Sequence, residues 1–274
     1  MGKFINPFTD IGFKRIFGQE FSKPLLIDFL NNLLIGERHI TDVTFHDKEL
    51  PAPFEKGRTI IYDINCETDT GEKIIVEMQN RLQPNFKART LYYAAEAIAR
   101  QGERGKDWNY DVKAVYLVAF INDHDQTFSQ RFRTDVMLMD NQQKEPFTDL
   151  IKLIYLQLPL FKKAADECNN DFERWIYVLK HMETLNRLPW AAQNAVFKRL
   201  AEISDLSSLT REERENYDSA IRIYRDNIYT MEGERQKGRE EERRQNARKM
   251  KSLGLPPDII HSVTGLSTEE IEKL

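Results

Sequence analysis

Residues 59–80 read TIIYDINCETDTGEKIIVEMQN, and their alternation predicts two short strands joined by a polar turn. Along the first strand Ile60, Tyr62, Ile64 and Cys66 share one face, while Ile61, Asp63, Asn65 and Glu67 share the other. The second strand divides into Ile74, Val76 and Met78 against Ile75, Glu77 and Gln79. Thr68-Asp69-Thr70-Gly71 supplies the turn. Pairing Glu67 with Lys73 across that turn sets Asp63 opposite Glu77. Two facing carboxylates repel unless something positive lies between them. A hard divalent cation, Mg²⁺ or Mn²⁺, suits such oxygens and completes its shell with water and phosphate. A solvent-facing hairpin side rich in Asp, Asn, Glu and Gln gives the same spacing, so the pattern alone leaves both readings open.

Working outward, residues 112–121 (VKAVYLVAFI) form an apolar run rich in β-branched residues, as expected of a central strand buried on both faces. Residues 150–158 (LIKLIYLQL) predict another strand, and 40–45 a third. Residues 122–146 read as a polar mixture of loop and strand. Between the hairpin and the central strand, 86–101 predict a helix. From Arg81 to Asp107 there are six basic residues, including Lys87, Arg89 and Arg100, against three acidic ones. That excess would attract a phosphate-bearing substrate, and it equally suits a solvated helix face.

Before the hairpin, Thr9 or Asp10 caps a short helix carrying Phe13, Ile16 and Phe17, which Gly18 stops. Asp10 and Lys14 stand four apart, the spacing of a surface ion pair. Pro24 opens a second helix with a stripe of Leu26, Phe29, Leu30, Leu33 and Leu34. After residue 161 the pattern is helical. Thr210 with Glu213, and Ser267 with Glu270, have capping-box spacing. Tyr217, Ile221, Tyr224, Ile228 and Met231 form a stripe that serves either a partner helix or the chain's own core. In the run from Glu232 to Lys251, eight basic and five acidic residues, punctuated by Gly233 and Gly238, predict an exposed helix or a linker.

The 274 residues carry a net charge of −4, so any nucleic-acid surface must be local. Two distant cysteines, Cys66 and Cys168, lack metal-site spacing and suit a reducing compartment. No apolar run reaches membrane-spanning length, and a soluble, cytoplasmic protein without membrane partners is expected.

The ordered set of Asp10, Phe13, Lys14, Phe17 and Gly18, then Asp63, then Glu77-Met78-Gln79, then Arg89, Tyr92 and Tyr93, and finally a TGLSxEEI tail at 264–271, resembles the bacterial Rpn family of recombination-promoting nucleases, also described as PD-(D/E)XK nuclease family transposases. The resemblance implies an α/β, restriction-endonuclease-like fold, a mixed central sheet flanked by helices with a helical C-terminal extension. It implies a metal-dependent DNA endonuclease linked to recombination or mobile elements. Asp63 and Glu77 would be the metal-binding acids, with the Met78 carbonyl as a further ligand to Mg²⁺ or Mn²⁺. Gln79 falls where the wider superfamily has lysine. Arg89 is then the first candidate for the missing cation, followed by Lys87 and Lys14, with Asp10 as an accessory acid. The alternative is a silent DNA-binding or protein-interaction module on the same fold. The expected division is a core at 1–204, a charged helix at 205–252 offering 217–231 for homo-oligomerisation, and a tail at 253–274.

Overall fold

The computed structural model describes residues 2–47, 49–50, 60–81, 83–103, 108–123 and 129–274. Thr59 of the hairpin and Arg104, Lys106 and Asp107 of the basic segment lie outside them. The chain divides into two units, residues 1–217 and 218–274.

In the first unit, α1 (Asp10–Phe17) starts at Thr9, whose hydroxyl accepts the Gly12 N–H at 3.0 Å. Gly12 is required there, because a Cβ would lie 2.1 Å from the Asn6 carbonyl oxygen. The second helix, α2 (Lys23–Leu33), has proline in its first turn as expected. The strands are β1 (Val43–Phe45), β2 (Glu49–Leu50), β3 (Ile60–Ile61), β4 (Ile64–Thr68) and β5 (Lys73–Gln79). After α3 (Phe86–Ala99) come β6 (Val115–Ile121), β7 (Arg133–Met139) and β8 (Pro146–Gln157), followed by α4 (Asp171–His181) and α5 (Ala195–Ser204).

Six strands make one mixed sheet in the order β1-β4-β5-β6-β8-β7. Strand β6 pairs in parallel with β5 and with β8, and the remaining pairs are antiparallel. As its apolar sequence requires, every residue of β6 is buried. One face of the sheet lies under α3, where Phe86 and Ala94 pack with Ile75, Leu117, Ala119, Leu153 and Tyr155. The other face carries an aromatic cluster. Phe17 and Phe29 of the first two helices stand 5.4 Å apart, Phe29 meets Phe120 of β6 at 5.3 Å, and Trp175 of α4 meets Phe17 at 5.7 Å. Each such ring contributes about 2–3 kcal/mol through its buried area, and pairing adds roughly 0.5–1.5 kcal/mol.

The residues expected in one loop-and-strand mixture include the whole of β7, and β8 begins four residues before the predicted 150. Strand β7 escaped the apolar pattern because it is an edge, exposed from Asp135 to Met139.

Helix α6 (Arg211–Ser252) begins in the first unit and runs through Gly233 and Gly238 without a break. The linker alternative is thereby excluded: 42 residues of mostly strong helix formers outweigh two glycines, each costing about 1 kcal/mol. The Thr210–Glu213 capping box is formed, with bonds of 2.8 and 3.2 Å. Tyr217 is buried, and its hydroxyl accepts the Asn6 N–H at 2.7 Å, so this end of the stripe serves the chain's own core. In the second unit Ala247 packs with Ile260 of α7 (Pro257–Thr264) and with Leu266 and Ile271, the last on α8 (Thr268–Glu272). Gly265 takes the left-handed conformation at φ +71° that ends α7, and Ser267 with Glu270 forms the second capping box. No described helix is long and apolar enough to cross a membrane.

Candidate active site

The register of the hairpin is the expected one, with Glu67 opposite Lys73 and Ile64 opposite Val76. Extended by one residue, it brings Asp63 to Glu77. The first strand, however, is not continuous. It breaks at Tyr62-Asp63, and β3 pairs with β2 in a separate two-stranded sheet. The break shifts the alternation. Ile60 and Tyr62 join the core under α3, whereas Ile64 lies on the opposite side, beneath Gly18. The single face expected for Ile60, Tyr62, Ile64 and Cys66 is therefore corrected to two.

Breaking the strand would strand a main-chain donor, and Asp63 answers it. Its Oδ2 accepts the Met78 N–H at 2.7 Å, taking the place of the ladder acceptor, while the Asp63 N–H donates to Glu77 Oε1 at 3.4 Å. The two acids are thus locked together through each other's backbone. Met78 enters the site through its main chain.

This face is not the solvated hairpin side that the bland reading supposed. Glu77 is 6% exposed and Gln79 9%, because they follow Ile75 on the side that α3 covers. Burial, and then the Asp63 charge, push Glu77 up to about 8, while Arg89 acts in the opposite direction. Without a bound cation the pair therefore retains a proton near neutrality.

Arg89 reaches the site from the first turns of α3. Its Nη2 donates to Gln79 Oε1 and its Nη1 to Gln83 Oε1 at 3.0 Å, with the guanidinium 5.2 Å from the Phe86 ring centre. Its Nε is buried without a hydrogen-bond partner among the described residues. Gln79 Nε2 donates in turn to the Arg81 carbonyl. Lys87, two residues from Arg89 and so on another side of the helix, is exposed. Lys14 pairs with Asp10 at 2.6 Å, the surface pair that their spacing predicts. The basic excess is partly answered locally, since Arg100 pairs with Glu96 at 2.8 Å. Toward the other end of the hairpin, a cavity of about 390 Å³ opens between Tyr62, Asn65 and Lys73 and the C-terminal end of α3 at Arg100 and Gln101.

Two residues passed over in the sequence belong to this end of the sheet. Asn80 donates to the Phe8 carbonyl at 2.9 Å, tying the start of α1 to the end of β5, and the Asn122 N–H donates to the Gln79 carbonyl at 2.9 Å. The available signal was position: polar residues directly after apolar parallel strands mark the strand ends where α/β sites are built.

A divalent cation fits the donor set. Asp63 and Glu77 offer hard oxygens, and the buried charge of the pair is what a cation would offset. Among the described residues no group of three or more His, Cys, Asp or Glu side chains that could hold a metal comes together.

A family model described as PD-(D/E)XK nuclease family transposase matches residues 7–234, a span that contains every candidate residue above. No curated protein and no solved structure matches the chain.

Proposed function

Because the chain belongs to the PD-(D/E)XK nuclease family transposases, and its six-stranded mixed sheet flanked by helices fits their restriction-endonuclease-like fold, we propose that it is a metal-dependent DNA endonuclease hydrolysing phosphodiester bonds. The observation that carries this reading is the acid pair, half-buried Asp63 facing buried Glu77 with Arg89 beside them. In this reading Asp63 and Glu77 hold Mg²⁺, with Mn²⁺ as the alternative and the Met78 carbonyl as a further ligand. When bound, the ion supplies a more acidic water and polarises the phosphoryl oxygen.

The chain's own residues do the rest. Asp63 is oriented by the Met78 N–H before substrate arrives, so no reorganisation of that carboxylate is needed. Arg89 faces the phosphate oxygens with a fixed positive charge, the part usually taken by lysine. Asp10 and Lys14, tied to the same sheet end through Asn80, remain accessory candidates, and Lys87 serves DNA contact rather than chemistry. The substrate is DNA, and cutting it belongs to recombination or mobile-element biology.

The test is nicking of supercoiled plasmid over a panel of divalent ions by the wild type, Asp63→Asn and Glu77→Gln. Both variants keep side-chain shape and are expected to lose cleavage while binding DNA. Nicking by both at the wild-type rate would overturn the assignment. The neutral Gln79 at the lysine position favours one second reading, a silent DNA-binding module. DNA binding by clean wild-type protein with no cleavage under any ion would select it.

A further inference from the structure

Gln79 lies at the end of β5, 9% exposed, and both ends of its amide are spent. Its Oε1 accepts from Arg89 Nη2 and its Nε2 donates to the Arg81 carbonyl. Chemistry fixes that orientation. A guanidinium only donates and a carbonyl only accepts, so a flipped amide would set donor against donor and acceptor against acceptor.

No other ionisable or amide side chain of this reach satisfies both neighbours. Lysine has no acceptor for Arg89 and would place two cations together. Glutamate would accept from Arg89 but would set an oxygen against the Arg81 carbonyl and add a third carboxylate beside Glu77. Arg89 has a long side chain with costly rotamer freedom, and here it is held by Gln79, by Gln83 and by the Phe86 ring.

We propose that Gln79 is a positioning residue: it aims the Arg89 guanidinium at the acid pair and does not itself orient the attacking water. This rests on the hydrolytic reading of Asp63 and Glu77, with Arg89 as its cation. The cation has moved from strand to helix, and the glutamine left on the strand is the hook that holds it.

The test is a swap in the full-length chain, comparing Gln79→Lys, Arg89→Gln and the double variant in steady-state plasmid nicking. Each single change is expected to lower kcat roughly 10²-fold, the usual effect of removing one electrostatic stabiliser, with KM for DNA little changed. The double variant returns the cation to the strand and is expected to recover to within roughly tenfold of the wild type. A merely structural glutamine would not give that recovery. Gln79→Lys alone matching or exceeding the wild type would overturn the proposal, since position 79 would then act directly. A double variant no better than the weaker single would overturn it as well. Thermal midpoints check folding, and should Gln79→Lys not fold, Gln79→Met replaces it with the same expected loss as Arg89→Gln; wild-type kcat in that variant overturns the proposal. Failure of the hydrolytic reading itself shows differently, as a wild type that nicks under no divalent ion.

Discussion

Replacing Glu77 by glutamine should make the metal-free protein more stable above neutrality, although it removes a residue assigned to the site. Burial and the Asp63 charge raise the Glu77 carboxyl from its ordinary 4.5 to about 8. The folded state therefore holds this proton more tightly than the unfolded state does. Stability from this group is fully present below pH 4.5 and is lost as pH rises through 8. Across the whole window the loss is on the order of 5 kcal/mol. His181, which burial lowers below 6.5, changes stability only beneath that value. Between pH 6.5 and 8 the Glu77 contribution therefore stands apart, at roughly 2 kcal/mol.

The assay is urea unfolding in EDTA at several pH values, followed by tryptophan fluorescence. All three tryptophans, Trp108, Trp175 and Trp190, lie within residues 1–217 and so report the unit that holds the site. The wild-type midpoint should fall by up to about 1 M urea between pH 6.5 and 8. Glu77→Gln should stay nearly flat, because its neutral amide still accepts the Asp63 N–H. Adding Mg²⁺ at pH 8 should restore the wild type and leave the variant unmoved. Parallel pH slopes in the two proteins would refute the reasoning, whatever the nuclease assay says.

Other outcomes follow from the same geometry. Lys87→Ala should nick plasmid at close to the wild-type rate, while Arg89→Ala loses roughly 10²-fold, a contrast readable in one titration. Phe120→Ala removes the ring on which the first two helices meet the sheet, and should cost about 3–5 kcal/mol in urea unfolding. Thr9→Ala deletes the α1 cap and should cost about 1 kcal/mol by the same measurement, with DNA cleavage per folded molecule unchanged.

How much of this was legible depends on what each residue's neighbours are. The register was readable because Glu67, Lys73 and the 68–71 turn are all local, and from it the meeting of Asp63 with Glu77 followed. Strand β6 was readable because burial on both faces leaves an unbroken apolar run. The break at Tyr62-Asp63 was not, since Ile60, Tyr62 and Ile64 alternate perfectly in sequence and only tertiary packing sends them to different sides. Nor could spacing reveal that α3 roofs the acid face, or that the Gln79 amide is shared between Arg89 and the Arg81 carbonyl. Those contacts join separate elements, and no periodicity encodes them. Position within a single helix did discriminate, in that Arg89 and Lys87 were equal candidates by charge and unequal once the turn of α3 was drawn.

The bond from the Met78 amide to the Asp63 carboxylate gives the protein a native spectroscopic probe. Most amides in the sheet are bonded to neutral carbonyls, and their signals are indifferent to chemistry at the acids. The Met78 proton is bonded to one of the two carboxylates whose surroundings change when a cation arrives, Glu77 releases its proton or a phosphate docks. In a ¹⁵N-labelled chain that one resonance would follow the occupancy of the site without any dye, mutation or turnover.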